Sequence, residues 1–309
     1  MNGLIQLLPG EHLSAAPARW HYLGATGALK HTLSSLGIKQ GMFRPHRLFN
    51  EDDVVLEQLL TERGVINARY TYGMAAYETS FLRPAELDLL RKSSKIPQIM
   101  GVRSILPKRW RWCPDCVVED EDLHGISYYH RDHQLAGVFH CHRHQLGLVD
   151  ACYDCGYHVT NLKAQCIPPR DNTCPNCGTW MSSYDGIFTQ TMAGIESASL
   201  ALAHGNTEEN RESSSLAIIR AHAGLKAKHE NTVPERKLLT AWLDAFAAHF
   251  EPAEIRAYFQ SAKVIRGTLC SPLMQHQRLF DSGTPRPPIH PLVHLMAEQF
   301  VLQDTKQCS

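Results

Sequence analysis

Apolar positions in the first part of the chain recur at broadly helical intervals. In LSAAPARWHYLGATGALKHTLSSLGI they are Leu13, Trp20, Leu23, Leu29, Leu33 and Leu36, with Gly24, Gly27 and Gly37 as interruptions. Two short helices joined by a glycine-containing turn are predicted, an arrangement shared by helix-turn-helix elements and by plain core hairpins. A third helix is predicted over residues 51–63, where Asn50 can cap and Val54, Val55, Leu59 and Leu60 form the apolar stripe. A fourth follows over residues 84–92, opened by a proline whose missing N–H is harmless in the first turn.

Helical periodicity returns in the last third. Residues 233–250 place Leu238, Leu239, Trp242, Leu243, Phe246 and Phe250 on one face behind Pro234, and a short helix over 251–262 completes a second helix-turn-helix-like element. Aromatic stripes of this kind belong to a core, to which Trp242 and Phe246 are assigned. Near the end, Pro285, Pro287 and Pro288 impose an extended approach, after which Pro291 can start a helix with His290 and His294 four positions apart. The two histidines lack a third ligand and are expected to pack or cap. Upstream, HGNTEENRESSS (204–215) reads as a surface loop or linker.

Between these helical regions the pattern changes. Of the ten cysteines, all but Cys270 and Cys308 lie between positions 113 and 177. Four pairs at two-residue spacing stand out: Cys113 with Cys116, Cys141 with His144, Cys152 with Cys155, and Cys174 with Cys177. That spacing turns both side chains toward one ion while backbone amides point at the sulfurs. Eight donors divide into two closed tetrahedra, so the reading is two structural zinc ions that contribute folding energy and activate no nucleophile. Sequential pairing puts Cys113, Cys116, Cys141 and His144 on one ion and Cys152, Cys155, Cys174 and Cys177 on the other. A cross-brace is the alternative. His140, His142, His158 and Cys166 are spare donors, and Cys270 and Cys308 read as ordinary thiols. A thioredoxin-like CxxC needs a βαβ setting that the surrounding sequence lacks.

Composition narrows the class further. The 309 residues are 43% hydrophobic and 20% charged, and Lys plus Arg equals Asp plus Glu at 31 each, so no global basic field exists. Without a signal-peptide pattern or a long apolar run, the chain is expected to be cytoplasmic and off the membrane. Charge is nevertheless uneven. Residues 91–112 carry Arg91, Lys92, Lys95, Arg103, Lys108, Arg109 and Arg111 with no carboxylate, a candidate strip for nucleic acid or a partner. An acidic run follows at once: Asp115, Glu119, Asp120, Glu121 and Asp122. His130, Asp132 and His133 offer acid–base chemistry, but nothing in the sequence supplies the pocket a general base needs. No phosphate loop, dinucleotide fingerprint, HExxH or nucleophile elbow is present, which argues against an enzyme.

The segment CPDCVVEDEDLHGISYYHRDHQLAGVFHCHRHQLGLVDACYDCGY resembles the TniQ/TnsD family of transposon target-selection proteins. The resemblance rests on Cys113 and Cys116, the acidic stretch Glu119 to Asp122, the aromatic-basic segment Tyr128 to Leu135 ending in HQL, Cys141 and His144 with Leu146 and Leu148, and Cys152, Cys155 and Gly156. HPLVHLM, with His290, Pro291 and His294, resembles the family's distal motif.

The resemblance implies a mainly α fold in which helix-turn-helix-like units flank a small zinc-knuckle module. It also implies a non-catalytic role: choosing an insertion site through double-stranded DNA or a Cascade guide-RNA complex, and recruiting the transposon's AAA+ ATPase and transposase subunits. The chain is near the size of members that act as adaptors to a guide complex. A homodimer is compatible with this reading, and a zinc-containing transcription regulator is the alternative. Four segments are expected: a helical domain at 1–105, the double zinc module at 106–185, a connecting helix and linker at 186–232, and a helical domain at 233–309.

Overall fold

The computed structural model of the protein describes residues 6–24, 27–39, 45, 51–93, 99–101, 103–183, 186–205, 211–226, 232–280 and 287–307, with side chains omitted at 51 and 89–93. The chain is mainly helical. In order come α1 (Ala16–Gly24), α2 (Leu29–Ser35), α3 (Glu51–Thr61), α4 (Ala68–Thr71), α5 (Ala75–Thr79), α6 (Pro84–Ser93) and α7 (Pro114–His124). Then follow α8 (Gln190–Ala203), α9 (Arg211–His222), α10 (Val233–Ala248), α11 (Pro252–Tyr258), the antiparallel pair β1 (Lys263–Ile265) and β2 (Thr268–Cys270), and α12 (Pro291–Gln307). Among the described residues no helix is long and apolar enough to cross a membrane.

Contacts divide the chain into two compact units, each built from two stretches of sequence: 1–76 with 107–186, and 77–106 with 187–309. This differs from the four consecutive segments read from the sequence, and the cores show why. In the first unit Leu13, just before α1, and Ala16, Leu33 and Leu56 of α1, α2 and α3 share one buried cluster with Trp110, Trp112, Tyr129, Cys152 and Cys174. Helices as short as α1 and α2 bury too little surface to stand alone, and the zinc-bearing segment supplies the rest of their core.

The second unit is organised by α12, which packs against α8 and α9. The stretch expected to be a connecting helix and linker supplies two helices, α8 and α9, to this packing. Met192, Ile195 and Leu202 of α8 are buried, and the Thr189 hydroxyl caps that helix by accepting from the Met192 N–H at 3.2 Å. The stripe of α10 is core as expected except at Leu238, which the helix turns outward and leaves exposed: Trp242 stacks on Phe246 at 5.2 Å and meets Phe280 and Phe300 edge-on at 5.0 and 5.3 Å. Residues 77–106 join this unit through single backbone bridges, Met100 with Ile289 and Ile105 with Phe259. His290 and His294 are both buried. His294 stacks on Phe81 at 4.4 Å, and burial lowers its pKa to about 3, so it sits in the core as a neutral ring. The expected helix over 251–262 stops at Tyr258, and the remainder opens the β1–β2 hairpin, whose β2 packs on α10 and α11.

Candidate metal centres

The first cluster is built from one helix start and one knuckle. Cys113 is the residue before α7 and Pro114 fills its first turn, so Cys116 lies one turn into the helix, with both sulfurs on the same side. Gly125 ends α7 in the left-handed conformation (φ +71°), and its N–H bonds the Glu121 carbonyl at 2.9 Å. The other three pairs are knuckles of a single design. The residue after the second donor has positive φ (Gln145 +57°, Gly156 +71°, Gly178 +76°), and its N–H bonds the carbonyl of the first cysteine at 2.8 to 2.9 Å. The first cysteine's own N–H then reaches across to Leu146, Tyr157 or Thr179 at 2.7 to 2.8 Å.

These turns bring the eight donors into two groups: Cys113, Cys116, Cys141 and His144, and Cys152, Cys155, Cys174 and Cys177. This is the sequential arrangement and not the cross-brace. In each group the donor atoms all lie within 4.8 Å of one another. Tetrahedral zinc bonds of about 2.3 Å to sulfur and about 2.0 Å to nitrogen place sulfurs about 3.8 Å apart, and sulfur and nitrogen about 3.5 Å apart. In the first group Cys116 and Cys141 sulfurs are 3.6 Å apart, and His144 Nδ1 is 3.5, 3.4 and 3.6 Å from the sulfurs of Cys113, Cys116 and Cys141. In the second, Cys152–Cys177 and Cys155–Cys174 are both 3.6 Å. The donor sets fit zinc in closed sites with protein at every position. None of His140, His142, His158 or Cys166 belongs to either group among the described residues.

Thiol protonation carries the same message. Hydrogen bonding with Cys113 and Cys141 pushes the Cys116 thiol up, while bonds from Cys113 and Cys116 hold Cys141 down. Three sulfurs at this separation share protons unless a cation lies among them. In the second group the backbone N–H and then the hydroxyl of Thr179 hold Cys177 down to about 6, whereas burial first raises Cys174 to about 11.

The segment Trp110–Arg111–Trp112 stitches the two clusters together. Trp112 pairs with Val149 through two backbone bonds of 2.8 and 3.1 Å, and Trp110 N–H bonds the Val159 carbonyl at 2.7 Å. Arg111 is buried and donates to the carbonyls of Leu135 and Val138 at 2.7 and 2.5 Å, so its guanidinium belongs to the scaffold and not to a surface strip. Of the other strip residues, Arg103 is exposed in the second unit and Lys108 and Arg109 are half-buried in the first. Lys95 and the side chains of Arg91 and Lys92 lie outside the described residues, as do Asn50, Pro285 and Cys308.

The motif residues between the first two pairs are internal cross-links. Gln134 is fully buried, with its amide donating to the Arg111 and His130 carbonyls at 2.8 and 3.0 Å and its oxygen accepting from Arg111 N–H at 3.1 Å. His130 Nε2 lies 2.8 Å from Asp120, and Arg131 pairs with Asp132 at 2.8 Å. His133 is buried too. These groups are buried and, at Asp120, His130, Arg131, Asp132 and Gln134, paired, an arrangement that suits bracing.

No curated protein matches the chain. The family model described as TniQ matches residues 4–148, a span that contains every donor of the first cluster and ends before Cys152. TniQ domains are associated with target selection in Tn7-like transposition. Over residues 4–148, a little under half of its length, the chain is similar to the TniQ family.

Proposed function

We propose that the protein selects target sites for a Tn7-like transposon, with the metal-bearing unit as a rigid scaffold that presents helical surfaces to DNA or a guide-RNA complex and to the AAA+ ATPase of the machinery. The observation that carries this reading is the TniQ match over residues 4–148, which includes the first four-donor cluster whole. Zinc at the two clusters would supply folding free energy and fix the knuckles, because closed four-donor sites leave no position for a substrate or water. In keeping with that, His130 with Asp120 and Arg131 with Asp132 are buried pairs. The helix pairs α1–α2 and α10–α11 are the helix-turn-helix-like surfaces of this proposal, joined by Arg103, Lys108 and Arg109 as basic contacts.

The test combines metal analysis with integration mapping. Purified protein is expected to hold two zinc ions per chain, to retain the cognate AAA+ ATPase on affinity resin, and to redirect insertions when added to a reconstituted transposition reaction. Insertion sites that stay the same with and without the protein would overturn the proposal, and footprinting of the protein's own promoter without transposase would favour a transcription regulator.

A further inference from the structure

The acidic run that follows the first cysteine pair lies on α7, and each of its described partners is within the same unit. Asp120 meets His130, Glu121 lies 3.9 Å from Arg170, and Glu119 meets two residues of the facing knuckle. The last contact bears on the metal site. Glu119 Oε2 lies 3.3 Å from Nε2 of His144, the ring nitrogen turned away from the sulfurs, and the same oxygen is ion-paired with Arg143. On the other side of that ring, Nδ1 lies 3.4 to 3.6 Å from all three cysteine sulfurs.

We propose that Glu119 is the positioning residue of the first cluster: its carboxylate takes the Nε2–H of His144 and so fixes the imidazole with Nδ1 toward the metal, while Arg143 holds the carboxylate in place. Local structure makes the arrangement economical. Glu119 is three residues beyond Cys116 on α7, so helix geometry puts ligand and carboxylate on one face. Arg143 and His144 are neighbours on the knuckle, so one turn delivers both groups that the carboxylate contacts. A neutral histidine ligand has to carry its proton on the nitrogen that does not bind metal, and a carboxylate there fixes both the tautomer and the ring orientation and makes the ligating nitrogen more basic. Three thiolates around a divalent ion leave one net negative charge; Glu119 brings a second, which its ion pair with Arg143 balances, so the positioning carboxylate adds no net charge to the site. The second cluster, with four thiolates, has no ring to orient. The acidic stretch at Glu119 thereby acquires a role within the fold.

The inference rests on the first cluster holding zinc, and its test separates the two claims. Wild-type protein and the variants Glu119→Ala and Glu119→Gln are loaded with zinc, and each ion's affinity is read by competition with a chromophoric chelator. Glu119→Ala is expected to weaken one of the two ions by about 10- to 100-fold and leave the other unchanged, with Glu119→Gln between Ala and wild type because its amide oxygen still accepts. Nitrogen-15 spectra of the zinc-loaded protein should show a protected His144 Nε2–H in wild type that exchanges rapidly in Glu119→Ala while the backbone amides of α7 stay protected, a combination that mere loosening of α7 would not produce. A Glu119→Ala affinity within twofold of wild type, or equal loss of both ions, overturns the inference and leaves the zinc reading standing. Wild-type protein without zinc overturns the zinc reading itself.

Discussion

The two clusters use the same number of donors on opposite terms. In the first, Cys113, Cys116 and Cys141 are almost fully buried and the fourth ligand is a histidine flanked by Glu119. In the second, Cys152 and Cys174 are buried in the unit's core, but Cys155 and Cys177 are exposed, and Tyr153 and Trp180 beside them are 87% and 59% exposed. One cluster is enclosed by the fold, and the other is a half-open clasp on its edge. Donor spacing therefore sets which atoms meet, while the surrounding chain sets how firmly they are held.

The largest test of this contrast is ligand removal. Structural zinc in small domains contributes about 10–16 kcal/mol of apparent binding free energy that doubles as folding free energy. Cys113→Ser should therefore unfold the first unit, with joint loss of solubility, helical circular dichroism and bound zinc. Cys177→Ser, at an exposed position, should lose one ion and keep most of the helical signal. Equal damage from both would erase the distinction.

A gentler comparison uses chelation followed by alkylation. The second cluster should release its ion first. Once it is empty, Cys177, held down to about 6 by Thr179, is an exposed thiolate at neutral pH, whereas Cys116 is pushed upward by its sulfur neighbours and Cys141, though also held down, is fully buried. Iodoacetamide and peptide mapping should find Cys177 modified before any cysteine of the first cluster, and the preference should fade as pH drops below about 6, where that thiolate is protonated. Cys113 or Cys116 reacting first would reverse the order of accessibility.

The smallest effect concerns the knuckle turns. Gly156 and Gly178 sit at positive φ with nothing within 4 Å of an added Cβ, so Gly156→Ala or Gly178→Ala should cost about 1–2 kcal/mol from backbone strain alone, read by urea unfolding of zinc-loaded protein. At Gln145, which tolerates the same conformation without being glycine, replacement by glycine should change stability by less than about 0.5 kcal/mol, because relief of strain is offset by glycine's greater backbone entropy loss.

What could be read from the sequence was mostly local. A CxxC or CxxH spacing is a covalent constraint of a few bonds, so the four donor pairs were visible without knowing anything distant, whereas the choice between sequential grouping and a cross-brace was not. The apolar stripe of α10 was visible for the same reason. The partition into units was not, since it depends on contacts such as Phe81 with His294 between residues more than two hundred positions apart. The burial of Arg111 was hidden as well: an arginine among basic neighbours reads as surface until the carbonyls of Leu135 and Val138 are placed around it. Helix α7 had a signal in Pro114 at its start and Gly125 past its end, which the cysteine motif overshadowed.

The stitch formed by Trp110 and Trp112 reaches beyond the span that marks the family. The TniQ match ends at residue 148, yet the Trp110 amide is satisfied by Val159, the Tyr129 hydroxyl by Ile167 at 3.2 Å, and the Pro114 carbonyl by Asn172 at 3.0 Å. A fragment trimmed at the homology boundary would strip these groups of their partners and uncover two tryptophans. The smallest piece able to fold by itself is accordingly longer than the piece that inheritance makes recognisable, and cloning limits should follow the hydrogen bonds.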